Sequence, residues 1–209
     1  MASGVGAELA GFVPEGERER RDWERLRALA RGGGDGARPG NPWLRSLPLH
    51  LTASALVVHP PSGRLLLRWH DRQQRWLHVG GHGDPGDTSA YAVAVREAVE
   101  ETGLADLRLL GGGLVHVAIV EAAAGRGEPA HLHGDLRYVL ATESPEQARP
   151  EDEGGKLRWV SFPEAVAEAG AAAGAAAGAA AGAAAGAAAG DDSLAELIVR
   201  AEALLKGAP

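Results

Sequence analysis

Three glutamates carry the densest chemistry in the sequence. Glu97, Glu100 and Glu101 stand at i, i+3 and i+4. On a helix that spacing sets all three carboxylates on one face. Like charges so placed repel, so the face is either plainly solvated, opposite an apolar face of Tyr91, Val95 and Ala98, or it holds a cation. The loop ahead of it favours the cation. Gly80, Gly81, Gly83 and Gly86 let the backbone approach a ligand closely, and Asp84 and Asp87 add carboxylates. Oxygen donors of this kind suit Mg2+, which also keeps water and substrate phosphate oxygens in its shell. An ion there relieves the repulsion.

The two strings GGHGDPGD (80–87) and REAVEETGL (96–104) together resemble the Nudix box, G-x5-E-x7-R-E-U-x-E-E-x-G-U with U an aliphatic residue. Gly81 resembles its first glycine. Arg96, Glu97, Ala98, Glu100, Glu101, Gly103 and Leu104 match its second half in register. There are two departures. Asp87 stands where the box has Glu, and eight residues rather than seven separate it from Arg96. Thr88 has the strict spacing but no carboxylate. The strings HLTASALVV, WLHVGGH and LRWVSFPEA resemble the strands around a Nudix helix, so the similarity runs from about Pro42 to Ala169.

The resemblance implies a hydrolase that uses Mg2+ or Mn2+ to cleave the pyrophosphate of a nucleoside diphosphate linked to another moiety. It implies Glu100 and Glu101 as metal ligands, and Glu97 as a ligand or the group that orients the attacking water. Gly81 is carried over as a further metal contact. Arg96 orients the glutamates through ion pairs, with Asp87 in a supporting place. Which acid serves as base stays open. The alternative is a non-catalytic domain of the same fold that binds a nucleotide as a sensor. Elementary chemistry agrees with the first reading, because metal-assisted cleavage needs charge neutralisation and a more acidic water.

A second constellation is His131, His133, Asp135 and Arg137. In a strand these share one face, with Leu132, Leu136, Tyr138 and Leu140 on the other. Such a stripe either lines a substrate cleft, Asp135 adding a carboxylate and Arg137 meeting a phosphate, or is a solvated sheet face. Zinc held by His131, His133 and Asp135 is a third option by ligand type. Trp76 either stacks on a base or fills the core. His82, inside the glycine-rich loop, faces the phosphates or fills the turn. Glu151, Asp152 and Glu153 form an acidic loop from which one carboxylate could reach the metal.

The elements that must position these groups are legible from pattern. Thr88–Thr102 reads as the best helix, stopped by Gly103. Leu49–Val58 alternates and predicts a half-buried strand, with His50, Thr52 and Ser54 on its second face. His59–Gly63 is a turn into a hairpin partner, Arg64–His70. Further extended pieces are Trp76–Val79, Leu114–Val120, His131–Ala141 and Lys156–Phe162. Helices are expected over Glu17–Arg31, Pro163–Ala169 and Ser193–Leu205, and residues 1–16 read as loose. The fold class is α+β, an α/β/α sandwich with a mixed sheet between helices.

Four sections follow: an N-terminal helix and flexible segment (1–41), a catalytic domain (42–169), an Ala/Gly linker (170–190) and a final helix (191–209). The linker repeats Gly at every fourth place, but its acidic flanks and weakly apolar residues argue against a membrane span. Lys and Arg number 21 against 28 Asp and Glu, a net charge of −7, which disfavours a nucleic-acid polymer as partner. The expected partner is a small nucleotide, and a homodimer stays open. With no cysteine there is no thiolate site or disulfide. Met1–Arg21 shows no signal-peptide pattern, so the cytoplasm is the expected compartment.

Overall fold

A computed structural model of the chain describes residues 4–32, 41–122, 124, 129–171 and 193–207. Two long strands form its spine. β1 (Leu49–His59) and β7 (His131–Ala141) pair in parallel from Leu49↔Leu132 to Val58↔Ala141. Around them lie β2 (Arg64–His70), β3 (Arg75–Leu77), β4 (Val79–His82), β5 (Arg108–Leu110), β6 (His116–Ala122) and β8 (Leu157–Ser161). The sheet order is β3-β2-β1-β7-β5, with β4 on β1, β6 on β7 and β8 on β2. All these other pairings are antiparallel, so the sheet is mixed and the fold is α+β.

Helices cover both faces. α1 (Val5–Gly11), α2 (Gly16–Ala30) and α3 (Ala90–Thr102) share one core with Leu51, Ala53, Ala55 and Val57 of β1. α4 (162–171) and α5 (Ser193–Gly207) share the other with Leu56 and Val58. Alternation along β1 therefore feeds two cores instead of one. The expected half-buried strand is corrected here: His50, Thr52 and Ser54 are buried as well. The polar face survives inside because it is hydrogen-bonded. Thr52 Oγ1 and Ser54 Oγ donate to the two Asp135 carboxylate oxygens at 3.0 and 2.8 Å.

The N-terminal residues also differ from expectation. Val5 and Leu9, an i, i+4 pair, are buried, and Trp23 Nε1 of α2 donates to the Leu9 carbonyl at 2.8 Å. A seven-residue helix is too short to hold itself in water. Its stability comes from packing that a short, glycine-containing string does not announce. α2 guards the free edge of β6, because Glu19 and Asp22 accept from the Val117 and Ile119 N–H groups at 3.2 and 3.0 Å. α1 and α2 thus pack into the same core as one face of the sheet. Residues 33–40, the acidic Asp191 and Asp192, and nearly all of the Ala/Gly linker (172–190) lie outside the described residues. Among the described residues no helix is long and apolar enough to cross a membrane.

Candidate active site

α3 is built to hold its acids still. Ser89 caps its start, accepting from the Ala92 N–H at 3.2 Å. Glu8 of α1 adds a second cap. Its carboxylate accepts from Ser89 Oγ at 2.8 Å, from the Ala90 N–H at 2.9 Å and from the Tyr91 N–H at 3.2 Å. A negative charge there also meets the positive end of the helix dipole. At the other end Gly103 takes a left-handed φ of 66° and its N–H closes on the Val99 carbonyl at 2.8 Å. Ala90, Val93, Ala94 and Ala98 bury the inner face, which turns Glu97 and Glu101 toward the strand β4.

The carboxylates differ in environment. Glu101 is buried; its Oε2 accepts from the Gly80 N–H at 3.0 Å and its Oε1 lies 3.2 Å from Arg68 Nη1. Burial, with the negative charges of Glu97 and Glu151, pushes its carboxyl up to about 7 against the opposing Arg68 and Gly80 N–H. Glu97 is raised as well, first by burial and then by Glu100 and Glu151, with Arg96 opposing. Its carboxylate lies against the Gly81 backbone so closely that a Cβ at Gly81 would overlap it. Glu100 remains exposed, 3.9 Å from Arg96 Nε.

Arg96 is the hub. Its Nη1 reaches Asp87 Oδ2 at 3.0 Å and Asp84 at 3.7 Å. Its Nη2 donates to the His82 carbonyl at 3.0 Å and to Glu97 Oε1 at 3.3 Å. Burial opposes ionisation of Asp87, yet the Asp84 N–H and the Arg96 guanidinium hold its carboxyl below the usual range. Gly81, the His82 backbone, Asp87, Arg96, Glu97, Glu100 and Glu101 are thus brought together. Clustered carboxylate oxygens, with the Glu97 and Glu101 carboxyls raised by burial, at a glycine that leaves room, fit a hard divalent cation.

Asp135 and Arg137 are placed elsewhere. They lie on the face of the sheet opposite α3, both buried, with Arg137 Nε donating to Asp135 Oδ2 at 2.7 Å and Nη1 to Ser193 Oγ at 2.7 Å. His78 Nε2 lies 3.4 Å from the same Asp135 oxygen. Arg137 is buried against Ser193 of α5 and tied to Asp135, so the solvated-face alternative does not describe this pair. Trp76 belongs to another cluster, edge-on to Trp69 at 5.5 Å and beneath the Arg158 guanidinium at 4.4 Å. The side chain of His82 joins other histidines, with burial and neighbouring rings pushing His133 down to about 3. Two contributors escaped the sequence reading: Arg68 and Glu8. The position of β2 and the contact from α1 place them, and no local pattern marks them.

The family model for the NUDIX domain matches residues 48–180. No curated protein matches the sequence. The solved C. elegans Ap4A hydrolase binary complex is similar in fold, with a TM-score of 0.51 at 17% identity over 76% of this chain and 98% of that one. A NUDIX-family hydrolase from Clostridium perfringens gives 0.45 at 18% identity, over 75% and 96%. The E. coli dihydroneopterin triphosphate pyrophosphohydrolase gives 0.46 at 19%, over 56% and 84%. With the domain match covering well over half of its length, and the box glutamates on one capped helix, the chain belongs to the NUDIX domain family and is a Nudix-type hydrolase.

Proposed function

We propose that this chain is a Mg2+- or Mn2+-dependent hydrolase of small nucleoside diphosphate-linked compounds, cleaving the pyrophosphate bond. The observation that carries the reading is the convergence of Glu97, Glu101 and the Gly81 backbone beside the Arg96 hub. Glu97, Glu100 and Glu101, with the Gly81 carbonyl, would hold the ion. When bound, the ion supplies positive charge for the phosphate oxygens and Lewis acidity toward water. The chain's own groups do the rest. In the metal-free chain burial raises the Glu101 carboxyl to about 7, so it gives up its proton close to neutrality and leaves a carboxylate to take the ion. Arg96 keeps Glu97 and Glu100 in register while Asp87 keeps Arg96 in place. Glu151 brings a further negative charge close enough to be felt at both Glu97 and Glu101.

The test measures phosphate release, with and without a coupling phosphatase, on a panel of nucleoside diphosphate derivatives with Mg2+ or Mn2+. Wild type and Glu101→Gln run side by side. Metal-dependent turnover that collapses in the variant is the expected result. A folded protein that binds nucleotide but turns over none of the panel would instead be a sensor.

A further inference from the structure

Four histidines meet at one end of the sheet, on the face away from α3. His50 lies on β1, His82 ends β4, and His131 and His133 begin β7. His50 and His133 are register partners across the parallel pair, and His82 stands opposite Thr52 on β1's other side. One ring nitrogen from each of His50, His82 and His133 falls within 4.8 Å of the others. His133 Nε2 is 3.2 Å from His82 Nε2 and 3.0 Å from His131 Nε2. The His50 ring lies 5.0–5.2 Å from the other three.

We propose that His50, His82 and His133, with His131, which adjoins them through His133, as a candidate fourth ligand, bind a divalent transition-metal ion of the zinc class at a site separate from the helix glutamates. Proton placement is the first argument. His50 Nδ1 faces the Leu47 carbonyl at 3.2 Å and His131 Nδ1 faces the Pro129 carbonyl at 2.8 Å. A carbonyl only accepts, so each Nδ1 carries its hydrogen and each neutral ring keeps its lone pair on Nε2. Backbone carbonyls orient metal-binding imidazoles in this way. One proton on His133 Nε2 serves His131 or His82 but not both, whereas one ion serves every lone pair.

Size is the second argument. Zinc–nitrogen bonds of about 2.0–2.1 Å set neighbouring ligand nitrogens of a tetrahedron about 3.3 Å apart. The two Nε2 separations, 3.0 and 3.2 Å, are close to that. The donor set is the third. Asp135 is engaged by Thr52, Ser54 and Arg137, so it does not complete a site with His131 and His133. Imidazole donors select zinc, nickel or copper, while the oxygen donors of α3 select magnesium or manganese. The ion would pin β1, β4 and β7 together. It would do so one residue beyond Gly81, at a histidine whose carbonyl accepts from Arg96 at 3.0 Å.

The experiment uses the full chain, stripped with a chelator and titrated with Co2+ alone. The expected result is one Co2+ per chain with the visible absorption of a tetrahedral nitrogen-ligated ion, displaced by Zn2+ and distinct from any weakly absorbing, oxygen-ligated Co2+ that the helix glutamates would take. Glu100→Gln and Glu101→Gln retain it. His82→Asn and His133→Asn weaken it by at least about 100-fold, since changes behind a ligand alone cost 10–100-fold. X-ray absorption of the zinc-loaded wild type should show imidazole scattering, and this decides the matter if the histidine variants fail to fold. Absence of stoichiometric binding, full binding in folded histidine variants, loss of the signal in the glutamate variants, or an oxygen-only zinc shell each overturns the proposal.

Discussion

Arg96 and Asp87 meet at 3.0 Å across the one residue by which this loop exceeds the family spacing. Asp87 is itself held by a turn over residues 84–87, closed on both sides. The Asp87 N–H donates to the Asp84 carbonyl at 2.9 Å, and the Asp84 N–H donates to Asp87 Oδ2 at 2.7 Å. An acid one position out of register therefore still engages the arginine that steadies Glu97. Arg96→Ala should lower kcat/KM by about 10–100-fold, the usual cost of removing a group that orients metal ligands. Asp87→Ala should act through the same arginine. A double-mutant cycle in kcat/KM should then show strong coupling, whereas additive losses would show that the two residues act independently.

Glu101 sets a pH dependence with a definite sign. Its carboxyl lies near 7 in the folded chain, above its ordinary 4.5. In metal-free protein its contribution to stability is complete below about 4.5 and is lost as pH rises through about 7. Urea midpoints of chelated wild type should carry a fall over that window which Glu101→Gln lacks. Binding of Mg2+ must displace the same proton, so apparent affinity should climb with pH and level off above about 7. Arg68 opposes the shift from 3.2 Å, so Arg68→Ala should move the levelling point to higher pH. An affinity flat between about pH 6 and pH 8 would contradict this account of Glu101.

The shared glutamate face was legible because helix geometry converts i, i+3, i+4 into one face, and the box because REAVEETGL stands in register with the family pattern. Gly103 and the strands β2 and β7 were equally plain, since each rests on local pattern, whereas the helix start read at Thr88 falls at Ala90, with Ser89 as its cap. What failed was anything decided across the sheet. His50, Thr52 and Ser54 read as an outward polar face, yet β1 is internal and α4 and α5 cover that side. For Asp135 and Arg137 the cleft and the solvated face both stayed open, because the alternation of β7 shows which residues share a face but not what lies over it. Ser193, which meets Arg137, is 56 positions further along. Arg68 had no mark of its own until register set it beside Glu101.

Glu8 links the N-terminal helix to the catalytic one. Its carboxylate takes two backbone N–H groups and the Ser89 hydroxyl at the start of α3. Glu8→Ala should cost about 1–2 kcal/mol in urea unfolding, as losses of a helix cap do. Glu8→Gln keeps the acceptor oxygen but loses the charge, so it should recover part of that. Any loss of turnover in Glu8→Ala should disappear under strongly stabilising conditions, because Glu8 holds the helix and touches no reacting group.

Asp135 and Arg137 form a buried pair, and their variants separate a structural role from a substrate-binding one. Arg137→Leu leaves the Asp135 carboxylate buried with Thr52, Ser54 and His78 but without its cation. Breaking a buried pair from one side costs about 3–5 kcal/mol, because the remaining charge keeps its desolvation penalty. Asp135→Asn should likewise destabilise, since Arg137 keeps its charge and loses the Asp135 carboxylate. Replacing both residues at once, as Asp135→Asn with Arg137→Leu, should cost less than the sum of the two single changes. KM for the preferred substrate should stay within about twofold in whatever folded fraction remains, since a shift of that size is well under 1 kcal/mol. A tenfold rise in KM with unchanged urea midpoint would place Arg137 at the phosphates after all, and would require the sheet's second face to open to the ligand.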